Sequence, residues 1–250
     1  MNFPTLTGLI SEWLGVIGLT MLIGTSPRFK NIRPIAFLYP RREGILSLYL
    51  FSLIFIFAVI YYTPALSPNP LIDLFFDSLL PGIFSFCLIC LIPFLILMQV
   101  RKQPWRSAGW SADRLNMSLR LSLALVFLTI FLRGALFRLL DGVSWQEIQN
   151  LLIWLGIALI EETIFRGYLQ TRFSNWLGKN RGWFLTAVLF SVWKIPRFMY
   201  SPHPLMLALP LSVAFTFLQG LLLGWIYYKN GHVAAGGIYS AVSAWISYPM

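Results

Sequence analysis

Two adjacent carboxylates and a guanidinium, Glu161, Glu162 and Arg166, close the apolar run LLIWLGIALI within the stretch ALIEETIFRGYLQTRF. On a helix Glu162 and Arg166 stand four residues apart, acid ahead of base, which is the favourable order for an ion pair. Glu161 is turned about 100° away from Glu162, so one arginine cannot easily serve both carboxylates. It needs a second partner or a proton. A carboxylate buried beside another is the arrangement from which general bases are made. The alternative is a structural ion-pair cluster at a helix end, near headgroups, where the cost of charge is reduced.

The elements that must position these residues follow from composition. Of 250 residues 58% are hydrophobic and only 11% charged, far from the balance of a soluble domain. The reading is an all-α, polytopic membrane helix bundle. About eight apolar runs approach or exceed the ~18–20 residues that cross a bilayer core, at about 6–24, 45–62, 79–99, 121–140, 151–169, 183–200, 205–228 and 232–249. They are too continuous for the strands of a barrel, and a membrane helix satisfies its own backbone. The first run has no Lys or Arg ahead of it and no small-residue cleavage site, so it reads as a retained span.

The net charge of +10 does not point to nucleic acid, because the cations sit in alternate loops, the signature of membrane orientation. Arg28, Lys30, Arg33, Arg41 and Arg42 fall in the first loop, and Arg101, Lys102, Arg106, Arg114 and Arg120 in the third. Arg172, Lys179 and Arg181 fall in the fifth and Lys229 in the seventh. Those loops are expected in the cytoplasm and both termini on the far side, in a multi-pass protein of the plasma membrane. The segment SPRFKNIRPIAFLYPRREG is expected to lie on anionic headgroups. DGVSWQEIQN interrupts the hydrophobicity near residue 141 and divides the chain into a four-span region, 1–140, and a second four-span region, 141–250, that holds the charged cluster.

EExxxR at the end of an apolar helix resembles the first motif of the CPBP family, the intramembrane proteases that include type II CAAX prenyl endopeptidases and bacteriocin-processing immunity proteins. The resemblance covers roughly residues 145–245. It implies that Glu161 activates a water that attacks a peptide carbonyl, with Arg166 orienting Glu162. It also implies FxxxH on the next helix and HxxxN or similar on the last, whose His and Asn hold the water and stabilise the oxyanion. Phe190 fits the second motif, but Lys194 stands at its histidine position, and Ser240 and Ala244 stand at the His and Asn positions of the third. His203, in an SPHP turn, and His232, at the start of the last run, read as interfacial or capping residues. A metal is conceivable in the family, but the ligand histidines are missing, so no cofactor is expected.

Lysine donates where a neutral histidine both donates and accepts. A close contact of Lys194 with Glu161 would hold the carboxylate ionised, make it a poorer base and occupy the place of the water. Losing one oxyanion donor costs ~100–1000-fold in rate. The ranking is therefore a proteolytically silent protein that binds or stabilises an unknown membrane protein or peptide in the lipid bilayer, then an active intramembrane endopeptidase with Lys194 as substitute oxyanion donor, or a Ser240 and Lys194 dyad. A transporter comes last, since no paired helix breaks in two repeats are visible. Cys87 and Cys90 read as small apolar packing, and GLLLGW as helix packing. Glu12 reads as an interfacial residue ahead of the alternative, a partner for Arg133 or Arg138.

Overall fold

The computed structural model describes residues 3–25, 35–63, 79–199 and 209–247. The described parts of the eight expected runs are helical, with a turn at 133–135 in the fourth, and no strand occurs among the described residues. The helices are α1 (Phe3–Gly24), α2 (Pro40–Tyr62), α3 (Leu79–Val100), α4 (Ala112–Leu132), the short α5 (Leu136–Leu140), α6 (Trp145–Glu162), α7 (Thr171–Leu177), α8 (Lys179–Met199), α9 (Leu209–Asn230) and α10 (Val233–Ser247). Among the described residues six segments are long and apolar enough to cross a membrane: Thr7–Gly24, Pro40–Tyr62, Gly82–Val100, Trp105–Leu132, Trp145–Leu177 and Leu209–Asn230. This is an integral membrane protein. The two remaining runs differ for opposite reasons. With 21 residues α8 is long enough but carries Lys179, Arg181, Lys194 and Arg197, whereas α10 is apolar but has only 15 residues.

Local chemistry sets the boundaries. The fourth run begins nine residues early, at Ala112, and stops at Leu132, because Gly134 takes a left-handed φ of 64° and turns the chain into α5. Ser144 starts α6 with a capping box: its hydroxyl accepts from the Glu147 amide, and the Glu147 carboxylate accepts from the Ser144 amide. Pro40 stands at the start of α2, where its missing N–H costs nothing.

Helices from either side of residue 141 interlock. α10 packs on α6 and also on α4, α3 packs on α6, and α2 on α7. One core gathers Ile54, Phe86, Cys87, Phe94, Phe165, Tyr168 and Trp193, and a second gathers Val16, Leu121, Leu125, Ile226 and Tyr239. Glu12 lies inside this packing, not at an interface. It is fully buried and accepts from Arg133 Nε at 2.5 Å, which corrects the interfacial assignment. A carboxylate surrounded by helices in hydrocarbon must be paired, and the matching cation comes from 121 residues away.

Candidate functional site

α6 does not end at its carboxylates. After Glu162 the chain continues as a π-helical segment, Thr163–Gln170, before returning to α-helix at Thr171. Such widened turns are rare and occur most often at functional sites. The widening is fixed from the side by the connection between α3 and α4, a 3₁₀ turn at Trp105–Ala108. The Ala108 carbonyl comes so close to Gly167 that a Cβ there would lie 1.9 Å from its oxygen. Gly109, with φ of 83°, turns its carbonyl to accept from the Val233 amide at 3.2 Å, and Trp110 Nε1 donates to Thr163 Oγ1 at 3.0 Å. Glycine at 167 is thus a condition of the geometry that carries Arg166.

Arg166 and Glu162 form the pair expected from their spacing, with Nε 3.4 Å from Oε1 and both residues buried. The pair is one of apposition: none of the three guanidinium nitrogens, nor Glu162 Oε2, has a hydrogen-bond partner among the protein atoms. The guanidinium carbon instead lies 4.1 Å from the centre of the Phe190 ring, a cation held against a negative π face. From the other side α10 presses Gly236 onto the same carboxylate, where a Cβ would lie 2.6 Å from Oε2.

Glu161 faces away from this pair and finds the partner it needs. Lys194 Nζ donates to Glu161 Oε1, with both side chains mostly buried. Lys194 also lies 5.2 Å from the Phe190 ring and 4.8 Å from the Trp193 ring. Phe190, whose place in the second motif was legible, is a plate with one cation near 4 Å and another near 5 Å, braced by Phe165 at 5.1 Å. A narrow cavity opens beside Glu161, lined by Tyr62, Ile83, Phe86, Cys87, Trp193, Lys194 and Arg197. Its free space admits about one water molecule.

Ser240 lies on α10 one turn beyond Gly236 and is half-buried. It does not line the cavity, and no hydrogen bond joins it to Lys194 among the described residues. His232 Nδ1 accepts from the Ala234 amide at 3.1 Å, so this buried histidine caps α10 as its position suggested. Burial, reinforced by the charge of Arg114, pulls it down to about 4 and keeps it neutral. His203 lies outside the described residues. Cys87 and Cys90 are buried free thiols inside the main core.

Two groups of residues escaped the sequence. Arg172, assigned there to a cytoplasmic loop, is fully buried. Its Nη1 donates to the carbonyls of Ser107 and Tyr168 at 3.1 Å each, its Nη2 donates to Gln103, and its Nε is 3.4 Å from Glu43. Glu43 also accepts from Arg101. This network clamps α2, α7 and the 101–108 connection around the π-helical turn. The only signal was Glu43 itself, the one acid in a basic segment. The second omission is Arg197, three residues after Lys194 and therefore on the same face of α8.

The donor set does not suit a resident metal. Glu161 is engaged by an ammonium and Glu162 by a guanidinium, and no three His, Cys, Asp or Glu side chains gather among the described residues.

The chain matches the family model described as Type II CAAX prenyl endopeptidase Rce1-like over residues 143–245. No curated protein and no solved structure matches it. The matched stretch begins just ahead of the capping box of α6 and runs through the π-helical turn, α8 and most of α10, so it contains every charged group around Glu161 and Glu162. Over residues 143–245 this membrane protein is thus similar to the Rce1-like, type II CAAX prenyl endopeptidases.

Proposed function

We propose that this CAAX-protease-like membrane protein has impaired or lost proteolysis and serves to bind or stabilise another membrane protein or peptide within the bilayer. The observation that carries the reading is the Lys194 ammonium on Glu161. A general base must reach the proton it takes, within ~2.6–3.2 Å of the water oxygen, and must have a lone pair free to accept it. Lys194 occupies that direction, and as an ammonium it has nothing with which to accept a proton. Neither Ser240, short and off the cavity, nor Ala244, with no polar atom, replaces the donors that the family motif places on the last helix. Each missing oxyanion donor lowers a rate by ~100–1000-fold.

A second reading, an active endopeptidase, is favoured by the cavity itself, which adjoins Glu161 and has room for a water. In that reading Glu161 is the base, Arg166 orients Glu162, and the remaining donors of Lys194 face the oxyanion. The alternating basic loops support a multi-pass protein with both termini on the non-cytoplasmic side, and cations grouped by loop favour lipid, with the plasma membrane as the expected site, over nucleic acid. The test is the combined substitution Lys194→His and Ser240→His. We expect it to create cleavage of membrane peptides that Glu161→Gln abolishes. Cleavage by the unsubstituted chain at an equal rate would overturn the silent reading.

A further inference from the structure

The charges around the cavity beside Glu161 do not balance. Its lining holds one anion, Glu161, against two cations, Lys194 and Arg197. Lys194 spends one of its three donors on Glu161. Arg197 is half-buried on the same face of α8 and enters no ion pair among the described residues. The other acid at hand, Glu162, is paired with Arg166. A half-buried guanidinium in a membrane helix, with no ion-pair partner among the described residues, is costly unless something anionic meets it.

The geometry says where such a group would enter. Tyr62 is the last residue of α2, Ile83 lies in the first turns of α3, and Arg197 lies in the last turn of α8, so these three rim residues sit at one end of the bundle. The opposite end is closed by the 101–108 connection and its clamp on Arg172. The cavity is too narrow to take a large headgroup inside; its rim can hold one oxyanion at the level where helix ends meet the interface.

We propose that this rim is an oxyanion seat, in which Arg197 and the spare donors of Lys194 hold a phosphate group. Guanidinium presents paired N–H donors that match two phosphate oxygens, and the ammonium adds a point charge beside it. The seat does not depend on whether Glu161 still activates water, because Arg197 is three residues beyond the side chain that engages it. Phosphate can come from a phospholipid headgroup or from solution, and the two sources separate experimentally.

The experiment measures the thermal midpoint of the full chain in neutral detergent, titrated with dioctanoyl phosphatidic acid, with inorganic phosphate and with dioctanoyl phosphatidylcholine. A saturable rise of several degrees with phosphatidic acid is expected, weakened about tenfold or more in apparent affinity by Arg197→Gln and largely kept by Arg197→Lys. A rise with phosphatidic acid alone assigns the seat to a lipid headgroup, and a rise with inorganic phosphate as well assigns it to the free oxyanion. Arg197→Met is the second neutral variant if Arg197→Gln does not fold. No saturable rise in the unsubstituted chain, an equal response in the neutral variants, or an equal response to the zwitterionic lipid overturns the proposal. None of these outcomes touches the cleavage test, since the Arg197 variants keep Glu161 and Lys194.

Discussion

Replacing Lys194 with methionine removes the ammonium while keeping most of the side-chain volume, and leaves Glu161 without its partner. The side chains of Glu161 and Lys194 are 9% and 14% exposed, so water does little to replace the lost contact. Breaking one half of a buried pair costs ~3–5 kcal/mol, most of it the penalty of the stranded charge. Arg197 lines the same cavity and offsets part of that, so about 3 kcal/mol is expected, or roughly 6–12 °C in the midpoint for a chain of this size. Adding Glu161→Gln removes the stranded charge. The double variant should therefore recover about 2 kcal/mol relative to Lys194→Met alone, which a double-mutant cycle in detergent measures by thermal or denaturant unfolding. A Lys194→Met cost under about 0.5 kcal/mol, or costs for the two substitutions that simply add, would refute the reasoning, because either would mean the ion pair does not hold the site.

Three further outcomes follow from the same geometry. Gly167→Ala places a Cβ 1.9 Å from a backbone oxygen that cannot swing away, so it should destabilise by at least ~3 kcal/mol and disturb Trp110 fluorescence through its bond to Thr163; Gly236→Ala, which meets the end of the Glu162 side chain, should cost less, about 1–3 kcal/mol. Arg133→Met strands Glu12 in the packing of α1 on α4 and should cost ~3–5 kcal/mol, relieved by Glu12→Gln in the same chain. His232 has a folded value of about 4 against an ordinary 6.5, so between those values the unfolded chain takes up a proton that the folded one refuses. Stability is then whole above pH 6.5 and falls toward pH 4, by an amount on the order of 3 kcal/mol. Thermal midpoints across that range should show the fall, and His232→Asn, which keeps a capping acceptor, should remove it.

What was legible in the sequence was whatever repeats along a helix. The apolar runs gave the bundle, the four-residue step from Glu162 to Arg166 gave their pairing, and motif spacing singled out Phe190 and Lys194 before their contacts with Arg166 and Glu161 were seen. What was not legible was which charges turn inward across the bundle. Counting cations by loop reports depth along the membrane axis and says nothing of facing, so Arg172 passed for a loop residue although it is clamped between Tyr168, Ser107 and Glu43. Glu12 and Arg133 were separable only by knowing that α1 packs on α4. The π-helical turn has no periodic signal at all: it exists because Gly167 lets the Ala108 carbonyl in, a contact between residues 59 positions apart. Both failures have one cause, that a partner distant in sequence fixed the outcome.

The silence of this site toward hydrolysis, with Lys194 held on Glu161, is a proposal. Its most direct test compares membrane-protein fragments, by quantitative proteomics in native membranes, between the intact chain and Glu161→Gln at equal expression. The same fragments are expected in both. Fragments that disappear with Glu161→Gln would contradict it and establish a working intramembrane protease in spite of Lys194 and Ser240.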